Sequence, residues 1–361
     1  MEINRIYKTN YLKSLNWILS SSRKRGGSSA YFLPFKGWSK AYPETTGYII
    51  PTLLEASNII GDIKYKKLAT EYGLWLLSIQ DKKGFWNQGL YPFKNNSKPS
   101  IFNTGQILLG LLKLYEETDN LQWINGAEKA LNWLANGLKD DELWGSGDYL
   151  NKTETPSYYS HVIWPMLEVC KKTNNNKITK LCKKGILNII LRKQSNGVFK
   201  GWGFEKCKPA FTHNIGYTIK GIQESGRILN DDFIRTSADS TIEKLIRISE
   251  LRGGKLPGLF DNSFKAIGNF VCLTGNLQIA ENLLTYESYN KDLRIVNSAA
   301  KLIDFVCSRQ ILYSPFKGIE GGIAGSSPLY GKYMRFRYPN WASKYLCDVI
   351  LKLSKRVEEI D

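Results

Sequence analysis

One helix-start pattern returns six times along these 361 residues, and a chain that repeats a unit at a steady interval can fold in few ways. Gly216 anchors the pattern in Phe211-Thr-His-Asn-Ile-Gly-Tyr-Thr218. Gly47 in Glu44-Thr-Thr-Gly-Tyr48, Gly105 in Asn103-Thr-Gly-Gln106 and Gly275 in Leu273-Thr-Gly-Asn276 occupy the same place. His161 joins them, because Pro165 follows it by four residues just as Pro51 follows Gly47. Trp341 in Tyr338-Pro-Asn-Trp341 is the sixth anchor. The intervals are 58, 56, 55, 59 and 66 residues, the size of a helical hairpin plus a loop.

Apolar periodicity predicts helices over 4–22, 45–60, 63–80, 103–118, 121–138, 158–173, 176–194, 214–229, 232–250, 273–289, 292–310 and 340–355. Leu53, Leu54, Ile59 and Ile60 line one helix, and Leu74, Leu76, Leu77 and Ile79 its partner. Thr46, Thr104, Ser160, Thr274 and Asn340 each precede an anchor by one residue, and all are N-cap residue types. The last helix needs 4–22 as its partner. The expectation is an all-α chain, one domain over 1–361, in which six hairpins close a ring. Connections after the anchored helices are two or three residues, whereas 24–43, 81–100, 139–156, 195–210, 251–271 and 311–337 are long. All long loops then fall on one face, together with the anchored helix starts, and function is expected there.

Composition narrows the partners. A net charge of +17 points to an acidic ligand, with a Lys-rich compositional bias as the alternative explanation. No basic tail or nucleic-acid-binding motif is present, so nucleic acid is not expected. The six cysteines lack paired spacing, which suits reduced thiols. The N-terminal residues form no signal-type apolar region, and no apolar run approaches membrane length. The reading is a soluble, cytoplasmic protein without stable membrane insertion.

Three residues before the anchors stand Glu44, Phe102, Tyr158, His213, Cys272 and Tyr338, a ring just outside the helix starts. Repeat geometry therefore aims Glu44 and His213 at one funnel, where a carboxylate and an imidazole suit proton transfer. Helix capping by Glu44 and a structural hydrogen bond from His213 are the alternatives. His161, one turn inside its helix, is a candidate for the funnel floor or a buried structural histidine. Arg335 and Arg337 are candidate carboxylate binders, with Lys332 nearby and Lys36, Lys40, Lys206, Lys208 and Lys255 on the same rim; a solvated basic loop is the alternative. Trp38, Trp86, Trp144, Trp202 and Trp341 lie in or beside long loops, as candidate sugar platforms or loop packing. Tyr48, Asn276 and Asn340, beside the anchors, complete the candidate substrate-binding set. A glycoside hydrolase would need a second carboxylate opposite Glu44, with Asp148, Asp261 and Glu320 as loop candidates. Two histidines and scattered cysteines make no metal set, and no cofactor is expected.

Gln80-Asp-Lys-Lys-Gly-Phe-Trp86 resembles the Q-x3-G-x-W signature of squalene cyclases and related toroids, with a weaker echo in Gln194-Ser-Asn-Gly-Val-Phe199. The resemblance implies an (α/α)6 toroid, shared by terpenoid cyclases, protein prenyltransferases and many carbohydrate-active enzymes. No D-x-D-D cluster accompanies it, which argues against terpene chemistry. Gly321–Pro328, Tyr333–Trp341, Pro43–Tyr48 and Phe211–Asn214 are together similar to a toroid group found beside polysaccharide-synthesis enzymes. His213-Asn214-x-x-Tyr217 resembles the residue choice of toroidal polysaccharide lyases and uronyl epimerases. That resemblance implies Asn214 neutralising a uronate carboxylate while His213 and Tyr217 move a proton. The expected function is a carbohydrate-active enzyme on an acidic polysaccharide or oligosaccharide, acting as a lyase or epimerase. The alternatives are a glycoside hydrolase using Glu44, and a non-catalytic glycan- or isoprenoid-binding toroid.

Overall fold

The computed structural model describes residues 3–138, 144 and 155–360. Among them the chain forms α1 (Lys8–Ser20), α2 (Pro43–Ile60), α3 (Ile63–Ser78), α4 (Ile101–Thr118), α5 (Leu121–Gly137), α6 (Ser160–Thr173), α7 (Asn176–Leu191), α8 (Thr212–Leu229), α9 (Asp232–Thr236), α10 (Asp239–Leu251), α11 (Leu273–Asn290), α12 (Leu293–Cys307) and α13 (Asn340–Ile360). Helices α2, α4, α6, α8, α11 and α13 pack each on the next in a closed inner ring, and the others lie outside it. This is an all-α (α/α)6 toroid. Helix α1 packs on α13, where Asn4 N donates to Ser354 Oγ at 3.1 Å.

The hairpin turns follow directly from local chemistry. The first five inner helices, α2, α4, α6, α8 and α11, each end on a residue in the left-handed region: Gly61, Asp119, Asn174, Asn230 and Lys291. Gly, Asn and Asp enter that region at least cost, so the chain stops there. The next residue, Asp62, Asn120, Asn175, Asp231 or Asp292, caps the outer helix by accepting a backbone N–H at 2.8–3.2 Å. Two residues thus end one helix and begin its partner.

The anchors set how closely the inner helices approach. A Cβ on Gly47 would stand 2.7 Å from the Ile107 backbone, and one on Gly275 2.6 Å from His213 N. His161 occupies an anchor position because the close approach has moved to the facing helix. There a Cβ on Gly221 would meet Ser160 C at 2.2 Å.

The structure corrects three expectations. Thr46 and Thr104 lie one turn inside their helices rather than at the caps. Their Oγ1 atoms accept from Ser28 N (2.9 Å) and Trp86 N (3.1 Å), so they fasten the preceding long loops. The single helix expected over 232–250 is broken into α9 and α10, because Ser237 Oγ takes the Ile234 carbonyl at 2.8 Å. The helix expected from 158 begins instead as a 3-10 turn, Ser157–Tyr159, before α6.

Short antiparallel ladders stitch the long loops into a girdle on one face. Tyr31–Leu33 pairs with Tyr338–Pro339 and Gly37–Trp38; Ala210–Phe211 pairs with Leu259–Phe260; Val271–Cys272 pairs with Ser326–Ser327. The Q-x3-G-x-W segment is one such fastening. Gln80 Nε2 donates to Gly84 O and Gly126 O, and Trp86 Nε1 to Leu76 O at 2.8 Å.

Candidate active site

A cavity of about 760 Å³ opens on the loop face, over the N-terminal turns of the inner helices. Aromatic side chains make its walls: Phe102, Tyr158, Phe204, Phe211 and Trp341. Its polar groups are Glu44 from α2, His213 and Tyr217 from α8, and Tyr48 and Tyr333, with Gln88 and Lys332 nearer the mouth. Repeat-equivalent positions on α2, α4 and α8, and on the turn before α6, therefore do meet around one space.

His213 is buried against the Tyr217 ring, centroids 4.4 Å apart, and against Tyr333 at 5.0 Å. Its Nδ1 lies 2.8 Å from Gln278 Oε1 on α11. With that oxygen accepting, Nδ1 carries the proton and Nε2 keeps its lone pair. Burial pushes the imidazole pKa down to about 4, against a smaller upward pull from Gln278. The group is a neutral base at ordinary pH.

Tyr217 is buried, and burial first, then Tyr345, Tyr48 and Glu44, hold its ionisation well above the usual range. Its ring lies beside that of Tyr345, centroids 6.5 Å apart, and Tyr48 lines the same pocket. Tyr217 is thus a neutral donor set in a cluster of hydroxyls. Glu44 is also buried and accepts from Tyr42 OH at 2.5 Å. Trp341 Nε1 donates to Tyr333 OH at 2.9 Å, which fixes both at the wall.

Below this floor the ring axis is filled with charge. Lys344 lies over the Tyr48 and Tyr345 rings and pairs with Asp348 at 2.5 Å. One turn lower, Lys220 bridges Glu224 at 2.9 Å and Glu281 at 2.8 Å. Burial would raise the Glu281 pKa, but Lys220, Lys352 and Lys344 hold it down at about 2. Lys352, with Thr285 Oγ1 as its acceptor, is lowered to about 8 by burial and by Lys220. Paired charges of this kind close the far end of the cavity with a polar plug.

Other candidate residues sit elsewhere. His161 lies beneath Tyr217, centroids 4.5 Å apart, with Nδ1 unpartnered. Burial and the Lys344 and Lys220 charges lower its pKa to about 3. Asn214 is fully buried and lines no wall, so it does not reach a substrate carboxylate there. Asn276 and Asn340 fasten loops: Asn276 Oδ1 accepts from Leu256 N at 2.9 Å, and Asn340 Nδ2 donates to Ser28 Oγ at 2.7 Å. Trp86 and Trp202 are core residues, the latter against Phe264, and Trp38 packs on Trp17. Their indoles do the packing that loops over a toroid require. Trp144 donates to Leu134 O at 3.0 Å, which leaves Trp341 as the tryptophan among the lining residues.

The guanidinium of Arg335 lies over Phe336 and that of Arg337 over Tyr31, outside the cavity, so Lys332 is the cation at its mouth. Among the described lining residues Glu44 is the single carboxylate. Asp261 is taken up by its own turn, accepting from Ser263 N and Lys265 N, and Glu320 pairs with Lys13. Asp148 lies outside the described residues. Tyr42, Gln88, Phe204, Phe211, Tyr333 and Met334 line the cavity unforeseen. Tyr42 and Phe211 had a readable signal, since each stands at the residue just before its helix.

The fold has many solved counterparts. A crystal structure of an unsaturated glucuronyl hydrolase specific for heparin superposes with a TM-score of 0.75 at 14% identity, covering 97% of this chain and 96% of that one. Cellobiose 2-epimerase from Spirochaeta thermophila gives 0.74 at 14% identity, covering 98% and 95%. A sugar epimerase from a ruminal bacterium gives 0.75 at 12% identity, covering 97% and 99%. At such identity the likeness is one of fold. No protein-family model and no curated protein sequence matches the chain. No described helix is long and apolar enough to cross a membrane.

Proposed function

We propose that the protein is a carbohydrate-active enzyme that moves a proton at a carbon beside the carboxylate of a uronate-containing oligosaccharide, by elimination or epimerisation. The observation that carries the reading is the packing of His213, its Nδ1 held by Gln278, against the ring of Tyr217 inside an aromatic pocket. His213 Nε2 takes the proton. In elimination Tyr217, held protonated, gives its proton to the glycosidic oxygen that leaves as its bond to C4 breaks and the C4–C5 double bond forms. In epimerisation it gives that proton to the opposite face of the carbanion, with Tyr48 and Tyr345 beside it. Aromatic walls suit the apolar faces of a sugar ring, and Lys332 supplies positive charge at the mouth. That solved counterparts include sugar epimerases and a glucuronyl hydrolase supports the substrate class.

A second reading is hydrolysis with Glu44 as the acid, favoured by the Tyr42 hydrogen bond that orients its carboxyl. Incubation with uronate oligosaccharides in deuterium oxide separates the two. Carbon-bound deuterium or ultraviolet absorbance of an unsaturated uronate, lost in His213→Ala, is the expected result. New reducing ends without either would establish hydrolysis, and binding without turnover would leave a glycan-binding module.

A further inference from the structure

Gln88 stands at the edge of the aromatic pocket and lines a second cavity, of about 710 Å³. The walls of this groove carry Lys40, Lys94 and Lys98 with the polar side chains of Asn96 and Ser97. The chain builds it from two loops. Trp86–Asn87 pairs antiparallel with Pro99–Ser100, and Gln88 N extends that ladder by donating to Lys98 O at 2.8 Å. Gly89, at φ +86°, turns the strand away from its partner. Tyr91 N then donates to Ala41 O at 2.8 Å, which brings Lys40 to the same space. Ser97 N donates to Lys94 O at 2.9 Å and closes the turn between Lys94 and Lys98.

Three lysines are thus gathered on a backbone frame fastened by these hydrogen bonds. All three side chains are exposed, and none makes an ion pair among the described residues. Like charges held together without a counterion repel, so an anionic ligand that bridges them gains from each. The aromatic pocket, in contrast, has one lysine at its mouth and a carboxylate inside.

We infer that this groove is a subsite for the flanking anionic units of an acidic oligosaccharide whose reacting unit occupies the aromatic pocket. The inference rests on the carbohydrate reading above. The recognised chemistry is a carboxylate or sulfate on a sugar, met by ammonium groups, with Gln88, Asn96 and Ser97 available to sugar hydroxyls. Gln88, shared by both spaces, marks where the chain of sugars passes from one to the other. The groove selects for length and charge, and the pocket for the unit that reacts.

The test is binding of uronate oligosaccharides from disaccharide to hexasaccharide, measured calorimetrically on the full chain at low and high salt. Affinity should rise about tenfold or more beyond the disaccharide, and that gain should vanish at high salt because exposed charges are screened. Lys94→Gln/Lys98→Gln, and separately Lys40→Gln, should remove the gain while leaving disaccharide binding and turnover unchanged. Carboxyl-reduced oligosaccharides should show no gain; a sulfated series that restores it identifies sulfate as an accepted anion. A length gain that survives the lysine substitutions, or equal binding of reduced and charged oligosaccharides, overturns the inference, as does the absence of any oligosaccharide binding. Disaccharide turnover with no length gain sinks the groove and leaves the enzyme reading intact. A lysine-dependent length gain in a protein without turnover does the reverse.

Discussion

Nδ1 of His213 lies 2.8 Å from Oε1 of Gln278, so a residue on α11 decides which nitrogen of a residue on α8 is free to take a proton. Gly216, one turn below His213, makes the contact possible, since a Cβ there would stand 2.8 Å from the Gln278 Cβ. The anchor that defines the repeat thus also positions the candidate base.

His213→Ala and Tyr217→Phe should each lower turnover by about 10²–10⁴-fold, the usual worth of a general acid or base. Oligosaccharide affinity should change less, because aromatic contacts from several helices share the binding. Gln278→Leu should reduce turnover while leaving affinity near wild type, since it removes only the group that sets the tautomer. Steady-state kinetics beside calorimetry would distinguish these effects. If Glu44→Gln alone abolishes activity and Tyr217→Phe is silent, hydrolysis is the better account.

Acid should destabilise the fold through its two histidines. Both are buried and neutral, with folded pKa values near 4 for His213 and 3 for His161, against about 6.5 in an unfolded chain. Between those limits the unfolded state binds more protons, so stability falls as pH drops below about 6.5. The slope approaches roughly 1.4 kcal/mol per pH unit for each histidine. Glu281, held at about 2, adds its own loss only below the ordinary carboxylate range. Urea denaturation across pH 4.5–6.5 should therefore lose its acid-side fall in a His161→Gln/His213→Gln protein, leaving the opposite trend of Asp239, whose carboxyl burial raises to about 6.

Arg335→Ala should leave oligosaccharide affinity almost unchanged, because its guanidinium lies over Phe336 and lines neither cavity. Lys332→Ala should weaken binding of charged sugars several-fold and that of neutral ones little. A salt titration of both variants would decide the matter. Equal losses from the two substitutions would mean that Arg335, too, reaches the bound sugar.

Gly221→Ala should destabilise the protein by at least the ~1–3 kcal/mol typical of overpacking. Its new Cβ would stand 2.2 Å from the Ser160 carbonyl carbon, and backbone yields little. Gly105→Ala should cost less, since the nearest atom, at 2.7 Å, is a methyl of Val162 that can rotate away. Thermal unfolding of the two variants provides the comparison.

The architecture was legible because each hairpin writes its own punctuation. Pairs such as Gly61-Asp62 and Asn230-Asp231 end one helix and cap the next from local chemistry alone. The meeting of Glu44 and His213 was legible too, since equivalent positions in a closed repeat face one axis. What could not be read was the path of the loops. Trp86 and Trp202 turn inward because their loops are stitched down by hydrogen bonds such as Trp86 N to Thr104 Oγ1, between residues distant in sequence. Arg335 and Arg337 likewise point where Phe336 and Tyr31 stand, a matter of tertiary packing. The gathering of Lys40 with Lys94 and Lys98 depends on one backbone bond between loops, Tyr91 N to Ala41 O.

The seating of α1 against α13 has a consequence in time. Asn4 meets Ser354 across 350 residues of chain, so on the ribosome α1 is made long before its partner exists. At ordinary synthesis rates of about 5–20 residues per second, that interval is tens of seconds. Hairpins made in between can form and stack one by one, each on the last. The buried face of α1, with Tyr11, Leu15 and Ile18, must wait or be held by something else. We infer that the ring closes in a single late step, and that a chaperone able to shield an apolar helix would speed its maturation more than that of any other hairpin.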